Sequence, residues 1–178
     1  MASLTKPIVL IGLMGAGKST VGVRLAEALG VPFKDSDLEI EMAAGCSVSD
    51  LFAIYGEPIF RDLEQRVVTR LLETKNLILA TGGGSYIQPT IQAIIKEKAH
   101  TVWLRADLET LLDRVNRRDT RPLLATGDKR KILKRLMEER YPVYEQANTI
   151  IDSNSASHER VVKQIISTLK QDAAEIFA

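Results

Sequence analysis

Cysteine is nearly missing from this chain. Cys46 is the single one in 178 residues, which excludes an intrachain disulfide framework and fits a reducing compartment; it reads as a small, semi-buried residue. Histidine is almost as scarce, and neither His100 nor His158 has a partner at metal-ligand spacing, so a histidine-based metal centre is not expected. An excess of one charge is lacking too: 24 Lys and Arg against 23 Asp and Glu leave a net charge of +1, which argues against a dedicated nucleic-acid binder. No apolar run is long enough to span a membrane, and Met1 to Pro7 reads as too short and polar for a signal peptide. Repeats, linkers and low-complexity stretches are absent as well. What remains, 45% hydrophobic and 26% charged, is the composition of one soluble globular domain with a full core.

What is present is concentrated first in Gly12-Leu13-Met14-Gly15-Ala16-Gly17-Lys18-Ser19-Thr20, between the apolar run Ile8–Ile11 and a helical pattern from Lys18 to Leu29. Strand, glycine-rich turn and helix at the G-x-x-x-x-G-K-S spacing form a phosphate-binding loop. A polyphosphate needs converging N–H donors, which glycines and a helix N-terminus supply. Lys18 is placed to reach the β- and γ-phosphates and the Ser19 hydroxyl to ligate Mg²⁺. The chain is therefore expected to bind a nucleoside triphosphate.

Apolar runs then alternate with helical patterns, the signature of a parallel sheet with crossover helices. Further strands are expected at Val31–Asp35, Asn76–Ala80, Thr101–Leu104 and Thr149–Asp152. Helices are expected from Asp37 to Met42, from Ser47 to a break at Gly56-Glu57-Pro58, and from Ile59 to Glu73. Others follow at Pro89–Glu97, Asp107–Asn116 and Ser157–Leu169. From Arg114 to Arg140 ten basic residues face four acidic ones, read as a solvated helix face with a few arginines serving the triphosphate. Within it, the aperiodic stretch at about 116–127, holding Arg121-Pro122-Leu123-Leu124, reads as a lid.

Asp35 and Asp37 fall at the carboxyl end of the second strand, the edge where open α/β sheets place ligands. They could hold a metal-bound water and orient a substrate hydroxyl; equally, Asp37 would serve as a helix N-cap. Thr81-Gly82-Gly83-Gly84 should surface at the same edge, where glycines permit close backbone approach to a ligand. Arg61 and Arg140 would select an anionic substrate if they met in one pocket, a point that spacing alone does not decide.

Taken together these motifs resemble the shikimate kinases, small relatives of the nucleoside-monophosphate kinases. The resemblance runs along nearly the whole chain in order. It rests on the phosphate loop, Phe33-Lys34-Asp35-Ser36-Asp37, Gly56-Glu57-Pro58-Ile59-Phe60-Arg61-Asp62-Leu63-Glu64, Gly82-Gly83-Gly84, Arg121-Pro122-Leu123-Leu124 and Arg140-Tyr141-Pro142-Val143-Tyr144. Lys34 departs from the apolar or aromatic residue common there. The resemblance implies an α/β fold with three α/β/α layers, a five-stranded parallel sheet in the order 2-3-1-4-5, a lid, and a substrate-binding helical region at about 36–73.

It also implies ATP-dependent phosphorylation of the 3-hydroxyl of shikimate, on the route to chorismate and the aromatic amino acids. ATP with Mg²⁺ would be bound by Gly15, Ala16, Gly17, Lys18, Ser19 and Thr20, with Asp35 acting on the metal through water. Asp37, Arg61, Arg140 and the Gly83–Gly84 backbone would bind shikimate. Arg121 would be the lid arginine at the transferring phosphoryl, and Arg114 the adenine-stacking one, with Arg117 and Arg118 in the same stretch as the alternatives. The catalytic set is then Lys18, Asp37 and Arg121. The expected setting is a cytoplasmic monomer acting on a small molecule, without nucleic-acid or membrane partner. A gluconate-kinase-like enzyme and a catalytically silent nucleotide-binding relative are the alternatives.

Overall fold

A computed structural model describes residues 3–117, 127–154 and 156–178. At its centre lies β1 (Ile8–Ile11), four apolar residues that are all buried, as a strand covered on both faces requires. The order of elements is β1, α1 (Lys18–Leu29), β2 (Phe33–Asp35), α2 (Ser36–Ala44), α3 (Val48–Leu71), β3 (Ile78–Ala80), α4 (Pro89–Lys98) and β4 (His100–Arg105). It continues with α5 (Leu108–Asn116), α6 (Lys129–Tyr144), β5 (Thr149–Asp152) and α7 (His158–Asp172). The five strands form one sheet in the order β2-β3-β1-β4-β5, with every pairing parallel. Ile8 sits between Ile78 and His100 in register, so the carboxyl ends of β1, β3 and β4 come out on one edge.

Helices α1 and α7 pack on each other, and α4 packs against β4 with α3 alongside. The core runs through Leu10, Leu25, Ile40, Val68, Leu79, Trp103 and Ile165, each buried. His100 and Thr149 pair across β4 and β5 within it, Nε2 to Oγ1 at 2.8 Å. Burial lowers the His100 pKa to about 4, so the ring is neutral.

The expected strands at 31–35 and 76–80 are shorter than the apolar runs suggest. Pairing between β2 and β3 begins at Phe33 with Ile78 and ends at Asp35 with Ala80. The two helices expected on either side of Gly56 follow each other directly within α3 and kink there, where Gly56 takes φ 78° and ψ 172° ahead of Pro58. The α2 cap is Asp35 rather than Asp37, its side chain accepting from the Asp37 N–H, because the helix starts directly where the strand pairing stops. Side chains also cap α3 (Ser47), α5 (Asp107), α6 (Asp128) and α7 (Ser157). The expected lid falls for the most part on 118–126, and Arg118 and Arg121 with it, outside the described residues.

Candidate active site

The phosphate loop joins β1 to α1 through three glycines in left-handed or related conformations, Gly12 at φ 149°, Gly15 at 81° and Gly17 at 93°. A side chain at Gly12 would also collide with the Leu104 carbonyl, 2.9 Å from an added Cβ. Gly17 caps α1 without a side-chain hydrogen bond, so no side chain covers the start of the helix. That is the condition for receiving an anion. Lys18 curls back over the loop, its Nζ donating to the carbonyls of Gly12 (2.7 Å) and Leu13 (3.0 Å). Ala16 is buried beneath.

One carboxylate serves both the cap and the loop. Asp35 Oδ1 accepts from the Asp37 N–H at 3.0 Å, and Oδ2 accepts from the Ser19 hydroxyl at 2.7 Å. The capping and the ligand readings of this segment are thus compatible. Among the described residues no group of three or more His, Cys, Asp or Glu forms a cage for a metal. A hydroxyl paired with a single carboxylate beside a phosphate loop does fit Mg²⁺, which keeps several waters and draws its other ligands from phosphates.

The three glycines after β3 form the second centre. Each is pressed by one charged side chain from a different helix. A Cβ on Gly82 would stand 2.8 Å from Asp37 Oδ1, on Gly83 3.2 Å from Arg140 Nη1, and on Gly84 3.0 Å from Arg61 Nη2. The Gly83 position also borders the phosphate loop, 3.6 Å from the Gly12 carbonyl. Asp37, Arg61 and Arg140 therefore converge on one glycine strip beside the loop, the meeting that sequence spacing left open.

Several residues without an assigned role hold this strip. Glu64, 1% exposed, accepts from Arg61 Nη1 at 2.7 Å with one oxygen and from the Ser85 hydroxyl with the other. Its position three residues after Arg61 on a helix was the available signal. The Ser36 hydroxyl accepts from the Gly82 N–H at 3.2 Å. Tyr144 donates its hydroxyl to the Gly83 carbonyl, a contact that nothing in the local pattern announces.

Arg114 lies apart from the strip, under the far side of the loop. It donates to the carbonyls of Gly15 and Ala16, each at 3.2 Å, and of Ser153 at 2.6 Å. Burial lowers its pKa from the ordinary arginine value, with Asp107 and Asp113 opposing. Arg117 instead pairs with Asp113 on the surface of α5 at 2.9 Å. His158, at the start of α7, comes within 3.8 Å of a Cβ placed on Gly17.

The family model for shikimate kinase matches residues 14–170 of the chain. A shikimate kinase of Caulobacter vibrioides is 50% identical over 166 residues, 93% of this chain and 83% of that protein. A shikimate kinase from Acinetobacter baumannii, solved in complex with shikimate, superposes with a TM-score of 0.90 at 36% identity and 94% coverage of both chains. A gluconokinase from Sinorhizobium meliloti, at 19% identity and a TM-score of 0.66 over 97% of this chain and 95% of that one, shares the fold alone.

Proposed function

The chain belongs to the shikimate kinase family, and on that premise we propose that it transfers the γ-phosphoryl group of ATP to the 3-hydroxyl of shikimate. The observation that carries this reading is the glycine strip, with one carboxylate and two guanidiniums converging beside a phosphate loop. Such a pocket suits an anionic polyol: arginine forks for a carboxylate, a carboxylate for hydroxyls. A gluconate-kinase-like activity is not favoured, because the gluconokinase similarity extends to the fold only.

The reaction is an in-line displacement in which positioning and charge neutralisation supply most of the catalysis. Gly15 to Thr20 cradle the phosphates through backbone N–H groups, and Lys18 moves from the loop carbonyls onto the β- and γ-phosphates. Asp37 orients the attacking hydroxyl and takes its proton; the hydroxyl oxygen of the acceptor forms the new bond to phosphorus as the bond from the γ-phosphorus to the β–γ bridging oxygen breaks and ADP departs. Arg61, Arg140 and the Gly83–Gly84 backbone hold the acceptor. Ser19, and Asp35 through water, would hold Mg²⁺, which supplies positive charge to the phosphates. Arg114 is the adenine-stacking arginine, a reading supported by its position against the loop, whereas Arg117 is engaged by Asp113. Arg121 serves as lid arginine by resemblance.

The chain acts as a single kinase unit, with residues 36–73 as the acceptor-binding region and about 116–127 as lid. It works as a cytoplasmic monomer on the route to chorismate; among the described residues no helix is long and apolar enough to cross a membrane. A coupled assay of ADP release with shikimate, with gluconate and with no acceptor tests the activity. Turnover with shikimate alone is expected; turnover with gluconate, or equal ADP release without acceptor, would overturn it.

A further inference from the structure

Tyr144 ends α6, is fully buried, and packs its ring against Trp103 at 5.8 Å and Tyr141 at 6.2 Å between centroids. Filling that space needs only a ring. The hydroxyl nevertheless makes two specific contacts: it donates to the Gly83 carbonyl and meets the Arg140 guanidinium one helical turn earlier. Tyr141, by contrast, turns its hydroxyl to the Ala106 carbonyl, away from the strip.

The peptide between Gly83 and Gly84 is the central one of the turn closed by the Ser85 N–H on the Gly82 carbonyl at 3.1 Å, and two glycines there let it flip at small cost without opening the turn. In a trans peptide the carbonyl and the following N–H point in opposite directions, and no peptide in the described chain is cis. A carbonyl held toward Tyr144 therefore turns the Gly84 N–H away from α6, on the residue that borders Arg61. Resting on the acceptor site proposed above, we infer that Tyr144 is a positioning residue: its hydroxyl fixes the Gly83–Gly84 peptide so that the Gly84 N–H is presented to the anionic acceptor, and holds the Arg140 guanidinium beside it. Burial pushes this hydroxyl up to about 12, so it stays protonated and remains a donor across the working pH range.

Tyr144→Phe keeps the ring and deletes the hydroxyl. The expected result is a rise in KM for shikimate of about tenfold, the scale of one buried hydrogen bond, with kcat within about threefold and KM for ATP unchanged. Arg61→Lys is measured beside it. If Arg61→Lys raises the shikimate KM and Tyr144→Phe does not, the positioning role is overturned and the acceptor site stands. If neither does, the acceptor site itself is misplaced, and the inference goes with it. A parallel loss for both substrates would make the hydroxyl merely structural and also overturns the role. Should the variant not fold, the unaltered protein still decides. Its Gly84 amide resonance is expected to move on addition of shikimate alone, and an unmoved resonance in the saturated protein contradicts the inference.

Discussion

The two halves of the site are built by different means. On the nucleotide side, eight consecutive residues from Gly12 to Ser19 shape a backbone cradle, and the positive-φ glycines with an uncapped helix start do the shaping. On the proposed acceptor side the backbone is a strip of three glycines, and the charged groups against it are Asp37 on α2, Arg61 on α3 and Arg140 on α6. The cradle of the first half is local and made of main chain; the charged groups of the second are side chains brought together from three helices. Nucleotide binding should therefore be insensitive to changes among the helices that make the acceptor half. The acceptor half should respond to small displacements of either its side chains or its glycines.

The largest effect expected falls on the shared point, the γ-phosphoryl group. Lys18→Ala should lower kcat on the order of a thousandfold, the loss seen when a donor to a transition-state anion is removed. Its melting temperature should stay within a few degrees, because Lys18 is only half-buried. Turnover near normal would break the nucleotide half of the account. Gly82→Ala comes next and separates the halves. The new methyl group would stand 2.8 Å from Asp37 Oδ1, so Asp37 must shift. A fall in kcat with shikimate of about thirtyfold is expected, since an ångström-scale misplacement of a reacting group costs up to a hundredfold. ATP affinity, read by calorimetry, should hold; a matching loss of ATP affinity would join the halves that the comparison keeps apart.

The smallest effect comes from His100, remote from both halves. Its folded pKa of about 4 lies below the ordinary 6.5, so the unfolded chain takes up a proton first as the pH falls. The stability this burial contributes is complete above pH 6.5 and is lost progressively toward pH 4. Unfolding free energies from urea titrations at pH 7.5 and pH 5 should differ by about 1–2 kcal/mol through this group, and His100→Gln should flatten the difference. An undiminished difference in that variant would assign the acid sensitivity elsewhere.

The same contrast decides what could be read from the sequence. β1, the loop and α1 are legible to the residue, because a buried strand, positive-φ glycines and a G-K-S helix start each leave a local signature. The strand order followed from the resemblance; the alternation of apolar runs and helical patterns gave only a parallel sheet. The start of β2 and the identity of the α2 cap were not legible, since the pairing with β3 begins only at Phe33 and the helix starts directly after Asp35. Nor was the meeting of Arg61 with Arg140, which depends on how α3 and α6 approach the strip. Glu64 and Tyr144 were visible as parts of motifs, but their work is to hold other groups, and only the folded chain brings those groups within reach.

On the proposed reading, the acceptor half binds independently of the nucleotide half, through side chains that converge on the glycine strip. Arg61→Lys tests it most directly, because the charge stays while the fork that borders Gly84 and bonds Glu64 is lost. Calorimetric titration of this variant with shikimate and, separately, with ATP gives both affinities on one protein. Shikimate binding should weaken by about 1.5–3 kcal/mol, roughly ten- to a hundredfold, with ATP binding changed less than about twofold. Shikimate binding left intact, or ATP binding lost along with it, would contradict the account.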